Sequence, residues 1–180
     1  MSQATIVASN DTSVTLESKL DSGITMRRTI KLAPNRPELT ILAEFINNSN
    51  DPREMQVQSH LCLDLGDVRT SRVRFTDRAG GTVDEDMTET IAGLREGKPF
   101  YRQKRPDGSW TFSGNKGFEV VQRFPTASVG VTRLCAYPAD LNELEVELSG
   151  PDVVLQPGEA ARLEHELETR VPGDANTADH

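Results

Sequence analysis

The chain has 180 residues, 36% hydrophobic and 27% charged, which fits one ordinary folded core and excludes both a small disulfide-stapled scaffold and a disordered polymer. Lys and Arg number 20 against 28 Asp and Glu, for a net charge of −8. Such a surface repels a phosphate backbone and an anionic lipid face, so neither nucleic acid nor a membrane is an expected partner. The longest apolar stretch, Leu39 to Ile46, is broken by Thr40 and Glu44 and falls far short of the roughly 20 residues of a membrane helix. The start, MSQATIVASNDTS, lacks the basic and apolar regions of a secretory signal, which leans the expected location toward the cytoplasm.

Along the chain a period of two dominates. From Ile24 to Leu32 the apolar Ile24, Met26, Ile30 and Leu32 oppose Thr25, Arg27, Thr29 and Lys31, with Arg28 as the interruption; this is a half-buried strand. APNRPE stops it, and ELTILAEFIN resumes with Leu39, Ile41, Ala43 and Phe45 on one side and Leu42 and Ile46 on the other, so both faces of that strand are expected to be covered. After the turn cluster NNSNDPRE, Met55, Val57, Ser59, Leu61, Leu63 and Leu65 alternate with Gln56, Gln58, His60, Cys62 and Asp64.

Further strands are expected at Val68 to Phe75, Pro99 to Gln103, Ser109 to Phe112, Phe118 to Phe124 and Ser128 to Tyr137, with PDGS and SGNKG as hairpin turns. The segment from Thr76 to Thr90 reads as the one long loop. Leu144, Val146 and Leu148 alternate with Glu143, Glu145 and Glu147. Beyond QPGE, Ala161, Leu163, His165 and Leu167 alternate with Arg162, Glu164, Glu166 and Glu168. Leu163 and Leu167 would also suit a helix, but the hairpin spacing after DVVL favours a strand. About ten strands separated by short turns predict an all-β antiparallel sandwich, one domain over 1–171 with a frayed tail over 172–180.

The candidate chemistry lies on polar strand faces. Gln56, Gln58, His60 and Asp64 form a row of donors and acceptors that suits sugar hydroxyls if the face lines a cleft, and a solvated outer face if it does not. Glu143, Glu145 and Glu147 share a face by alternation; they read either as crowded carboxylates suited to acid–base work or as a charged solvent face. Arg123, Arg133 and Arg27 are the possible cationic partners. Trp110, with Phe100 and Tyr101 on the strand before it, reads as a sugar-stacking platform or a core anchor.

No metal and no cofactor is expected. His60 and Asp64, four apart on a strand, would be separated by about 13 Å, too far to share an ion. The acidic Asp84 to Asp86 lacks a calcium-loop pattern, and Cys62 and Cys135, without a CxxC partner, read as two buried free thiols. No nucleophile elbow, triad spacing or phosphate loop is present.

Three segments, MRRTIKL, ELTILAEFINNSNDP and VQSHLCLDLGD, followed near the end by LEVELSGPDVVLQPGEAARLEHELE, resemble the galactose mutarotase-like supersandwich, the fold of the aldose 1-epimerases and of many domains in carbohydrate-active enzymes. In those epimerases a histidine protonates the ring oxygen while a glutamate takes the anomeric hydroxyl proton. The resemblance places His60 at the histidine and Glu147 at the glutamate, with Glu145 as its rival. The chain departs from the family in having no histidine before His60 and in placing Leu61 and Cys62 where the family has an aromatic.

The resemblance implies a carbohydrate ligand and a binding or accessory domain of a sugar-processing protein. The alternatives are an aldose 1-epimerase-type mutarotase acting on a hexose, or an interaction module without sugar binding. Leu42 and Ile46, apolar on the second face of their strand, add a possible homodimer or a missing parent domain that covers it.

Overall fold

A computed structural model of the chain describes residues 3–92, 100–137 and 142–172. These residues form thirteen strands, one short α-helix and two 3₁₀ turns, in two sheets with antiparallel pairing, so the chain is an all-β antiparallel sandwich. The strands are β1 (Thr5–Asn10), β2 (Ser13–Lys19), β3 (Ile24–Leu32), β4 (Glu38–Asn47), β5 (Arg53–Leu63), β6 (Arg72–Thr76) and β7 (Thr82–Asp86). After the helix α1 (Met87–Ala92) come β8 (Phe100–Lys104), β9 (Ser109–Ser113), β10 (Glu119–Arg123), β11 (Val131–Tyr137), β12 (Glu143–Leu155) and β13 (Ala160–Arg170). Nine strands hydrogen-bond in the order β1-β2-β3-β4-β13-β10-β9-β6-β7, and four in the order β5-β12-β11-β8.

The chain divides into two compact units. The first comprises 1–59, 124–131 and 147–167. Within it a ladder of β3 with β4 runs from Ile24↔Asn47 to Leu32↔Leu39, consistent with the matched alternation of the two segments. Leu42 and Ile46 are half-buried. The turn leaving β4 is organised by Asn47, which is wholly buried. Its amide nitrogen donates to the carbonyls of Asp51 and Leu155 at 2.8 and 2.9 Å, and its oxygen accepts from the Ser49 backbone and hydroxyl. Gly23 holds φ +82, and a Cβ there would meet Ser49 Cβ at 2.7 Å, so the neighbouring turn requires glycine. Replacing Asn47 with alanine removes the bond to the buried Leu155 carbonyl and the part-buried bonds to Asp51 and Ser49, and is expected to cost about 2–3 kcal/mol; urea unfolding with an unchanged m-value checks it.

The second unit comprises 60–123, 132–146 and 168–180, the last eight lying outside the described residues, as does Pro99. Its core contains an aromatic cluster among aliphatic residues: Trp110 and Phe112 on β9 and Phe75 on β6 are all buried. Trp110 meets Phe75 and Phe112 edge-on, with ring centroids 6.4 and 5.0 Å apart.

Several regions differ from the expected elements. Val68–Thr70, expected to open a strand, is a 3₁₀ turn in which the Asp67 side chain accepts from the Arg69 N–H, so β6 starts only at Arg72; Ser128 likewise ends a 3₁₀ turn before β11. The segment expected to be a loop contains β7 and α1. Arg72 stands opposite Asp86 in the β6–β7 ladder and binds Asp84 at 2.5 Å, so cross-strand charge pairing lets an acidic run form a strand. Met87, fully buried, then anchors the helix. At the other end, β1 and β2 form a hairpin that is not among the expected strands. Every residue of β1 is exposed, so it has no buried face to write an alternation into the sequence. The segment over 160–170 is a strand, as the hairpin spacing predicts, and not a helix.

Candidate functional site

Strands β5 and β12 are hydrogen-bonded neighbours. Because side chains alternate across a strand, His60 and Cys62 project from the same face of β5. In the second unit these meet Glu145 of β12: His60 Nε2 lies 3.2 Å from Glu145 Oε2. One ligating atom from each of His60, Cys62 and Glu145 lies within 4.8 Å of the others. The histidine side chain is 45% exposed and the glutamate 11%, so the pair joins a solvent-facing ring to a carboxylate sunk in the sheet. Cys62 is exposed, not buried as expected of a free thiol; Cys135 is the buried thiol. Partial desolvation first, then the negative charges of Glu143 and Glu145 and a hydrogen bond with Glu143, push the Cys62 thiol above its ordinary range.

The glutamates of β12 are not a solvent face. Glu145 and Glu147 are buried and Glu143 half-buried. The reason is position: β12 lies between β5 and β11, and an interior strand can be covered on both faces. Glu147 belongs to the first unit and His60 to the second. Of the arginines considered as partners, Arg27 binds Glu17 at 3.0 Å and Arg123 binds Glu168 at 2.5 Å.

The remaining expected residues are dispersed in role. Gln56 and Gln58, in the first unit, are exposed. Asp64 is exposed and held by Lys116 at 2.5 Å; that hydrogen bond, with the Gly66 N–H, keeps its carboxyl below the usual range. Trp110 is not a stacking platform: it is 1% exposed, and its Nε1–H donates to Gln122 Oε1 at 2.6 Å. The indole therefore offers no open face to a pyranose. Asp84, Glu85 and Asp86 are engaged by Arg72, Lys104 and the Thr88 backbone N–H, which accounts for that run without calcium. An open groove of about 410 Å³ is lined by Phe75, Asp77, Val83, Gln103, Lys104 and Arg105 and includes none of the expected residues.

A second histidine carries no expected role. His165 on β13 is buried in the first unit, with Nε2 2.9 Å from Ser59 Oγ. Burial first, and then the positive charge of Arg28, lower it to about 4. Its sequence signal was its place on the apolar side of the last alternating run, between Leu163 and Leu167.

No protein-family model matches the sequence, and no curated protein matches it. Solved structures do. The aldose epimerase homologue from C. elegans superposes with a TM-score of 0.73 at 14% identity, over 93% of this chain and 68% of that one. The galactose mutarotase related enzyme from Lactobacillus acidophilus gives 0.66 at 13% identity, over 95% and 72%. The GH36 α-galactosidase of Geobacillus stearothermophilus gives 0.59 at 12% identity, over 94% of this chain and 26% of that longer one. Identities this low speak for the fold alone, and with its two antiparallel sheets they give the chain the fold of a galactose mutarotase-like β-sandwich domain.

Proposed function

We propose that the chain is a carbohydrate-binding domain that works within or beside a sugar-processing protein. The observation that carries this reading is the 3.2 Å contact between His60 and Glu145. An anomerising pair holds the ring oxygen and the anomeric hydroxyl of one sugar between its acid and its base. Two groups in direct contact leave no such gap and satisfy each other. As a binding element the same pair is well made, since a carboxylate accepts from one sugar hydroxyl while the adjacent ring nitrogen bonds its neighbour.

The second reading is hexose anomerisation with His60 as acid and Glu145 as base. It is favoured by the structural likeness to proteins described as aldose epimerases and mutarotase-related enzymes.

Hexose titrations by calorimetry, with a glycan array and a polarimetric assay of freshly dissolved α-galactose beside them, separate the readings. Saturable sugar binding weakened at least tenfold by His60→Ala and by Glu145→Gln, with mutarotation at the buffer rate, is the expected result. Acceleration of mutarotation that disappears in His60→Ala would replace the binding reading with the epimerase. No binding to any glycan, and no acceleration, would leave the interaction module.

A further inference from the structure

We propose that His60, Cys62 and Glu145 form a binding site for a divalent transition-metal ion, with zinc the best match to the donors. The sequence spacing conceals it. A His-x-Cys pair on one strand is no recognised zinc motif, and the third donor comes from a strand far along the chain. In the fold, the alternation of β5 sets His60 and Cys62 on one face, and Glu145 of the neighbouring β12 meets them there.

The geometry fits with small adjustment. Zinc binds nitrogen and oxygen at about 2.1 Å and thiolate at about 2.3 Å, which places tetrahedral donors roughly 3.5 Å apart. His60 Nε2 and Glu145 Oε2 already stand at 3.2 Å, and the set as a whole lies within 4.8 Å. Closing the remainder takes a rotamer adjustment of Cys62, whose side chain is exposed.

The donor types narrow the ion. Calcium and magnesium require oxygen ligands, and monovalent copper prefers an all-sulfur set, whereas one imidazole, one thiolate and one carboxylate suit zinc. The thiolate and the carboxylate supply two negative charges against the dication, the Cys62 thiol releasing its proton to buffer as the metal–sulfur bond forms. Three protein donors leave the fourth position open to water or a small ligand. This inference concerns binding of the ion alone and stands whether or not the domain binds sugar.

The test uses the full, tag-free chain after dialysis against chelator, with Co²⁺ as a spectroscopic probe and Zn²⁺ as its competitor. One equivalent of Co²⁺ is expected to give a thiolate-to-cobalt charge-transfer band in the near ultraviolet, removed by one equivalent of Zn²⁺. Cys62→Ser should abolish the band and weaken Zn²⁺ binding at least tenfold. Glu145→Gln should weaken binding similarly while retaining the band at saturating Co²⁺, with circular dichroism showing both variants folded. Folded wild-type chain that takes up no stoichiometric Co²⁺ or Zn²⁺, or Cys62→Ser that keeps the wild-type affinity and band, would overturn the proposal.

Discussion

Replacing Trp110 with alanine is expected to lower the unfolding free energy by about 4 kcal/mol, near the upper end of buried large-to-small losses. The indole is buried to 1% exposure, meets Phe75 and Phe112 edge-on, and donates to Gln122 across the β9–β10 ladder. Alanine removes all of these and leaves a cavity among residues already fixed by strand pairing, which cannot close in to fill it. Trp110→Phe keeps most of the apolar volume and loses the Nε1–H donor, so a smaller loss of about 1–2 kcal/mol is expected. Denaturant midpoints followed by circular dichroism measure both. A loss below about 1 kcal/mol for alanine would mean that the second unit's core does not rest on this ring.

The same residue marks a limit of reading sequence. An aromatic beside a hairpin turn can face a ligand or a core, and only the packing of β6 against β9 decides it. Local alternation sufficed for β3, β4, β5 and β13; in β5 and β13 one face is the more buried, whereas in β3 burial falls along the strand, from Ile24 and Thr25 to the exposed Lys31 and Leu32. It failed for β1, which is exposed throughout, and for β7, where the strand is held by Arg72 rather than by apolar residues. The glutamates of β12 alternate with leucine and valine as an outer strand would, yet Glu145 and Glu147 are buried because β12 is an interior strand. The polar row of β5 was legible, including His60. Its partner Glu145 was named only through the family resemblance, and there as the rival of Glu147, since the pairing of β5 with β12 is a long-range choice that no local spacing encodes; the exposure of Cys62 and the cluster it completes were not legible.

The chain should lose stability as pH falls from about 6.5 toward 4, with His165 as the first group responsible. In the folded state burial and Arg28 hold this imidazole at about 4, whereas unfolded it returns to an ordinary 6.5. Between those values the unfolded chain binds the extra proton, so stability rises with pH and is lost on acidification. The neutral ring is the form that fits, sealed against Ser59 Oγ at 2.9 Å. From about pH 7.5 to about pH 5 this one group is expected to remove about 2 kcal/mol, and about 3 kcal/mol once its folded value is passed. Carboxylates act lower. Glu168, held to about 2 by Arg170 foremost and by Arg123, contributes stability above 4.5 that is lost as pH falls toward 2. The two windows separate the causes. Urea midpoints measured between about pH 7.5 and about pH 5 should fall in the wild type and stay nearly level in His165→Gln, whose side chain does not titrate there. An equal fall in both would assign the acid sensitivity to groups other than His165.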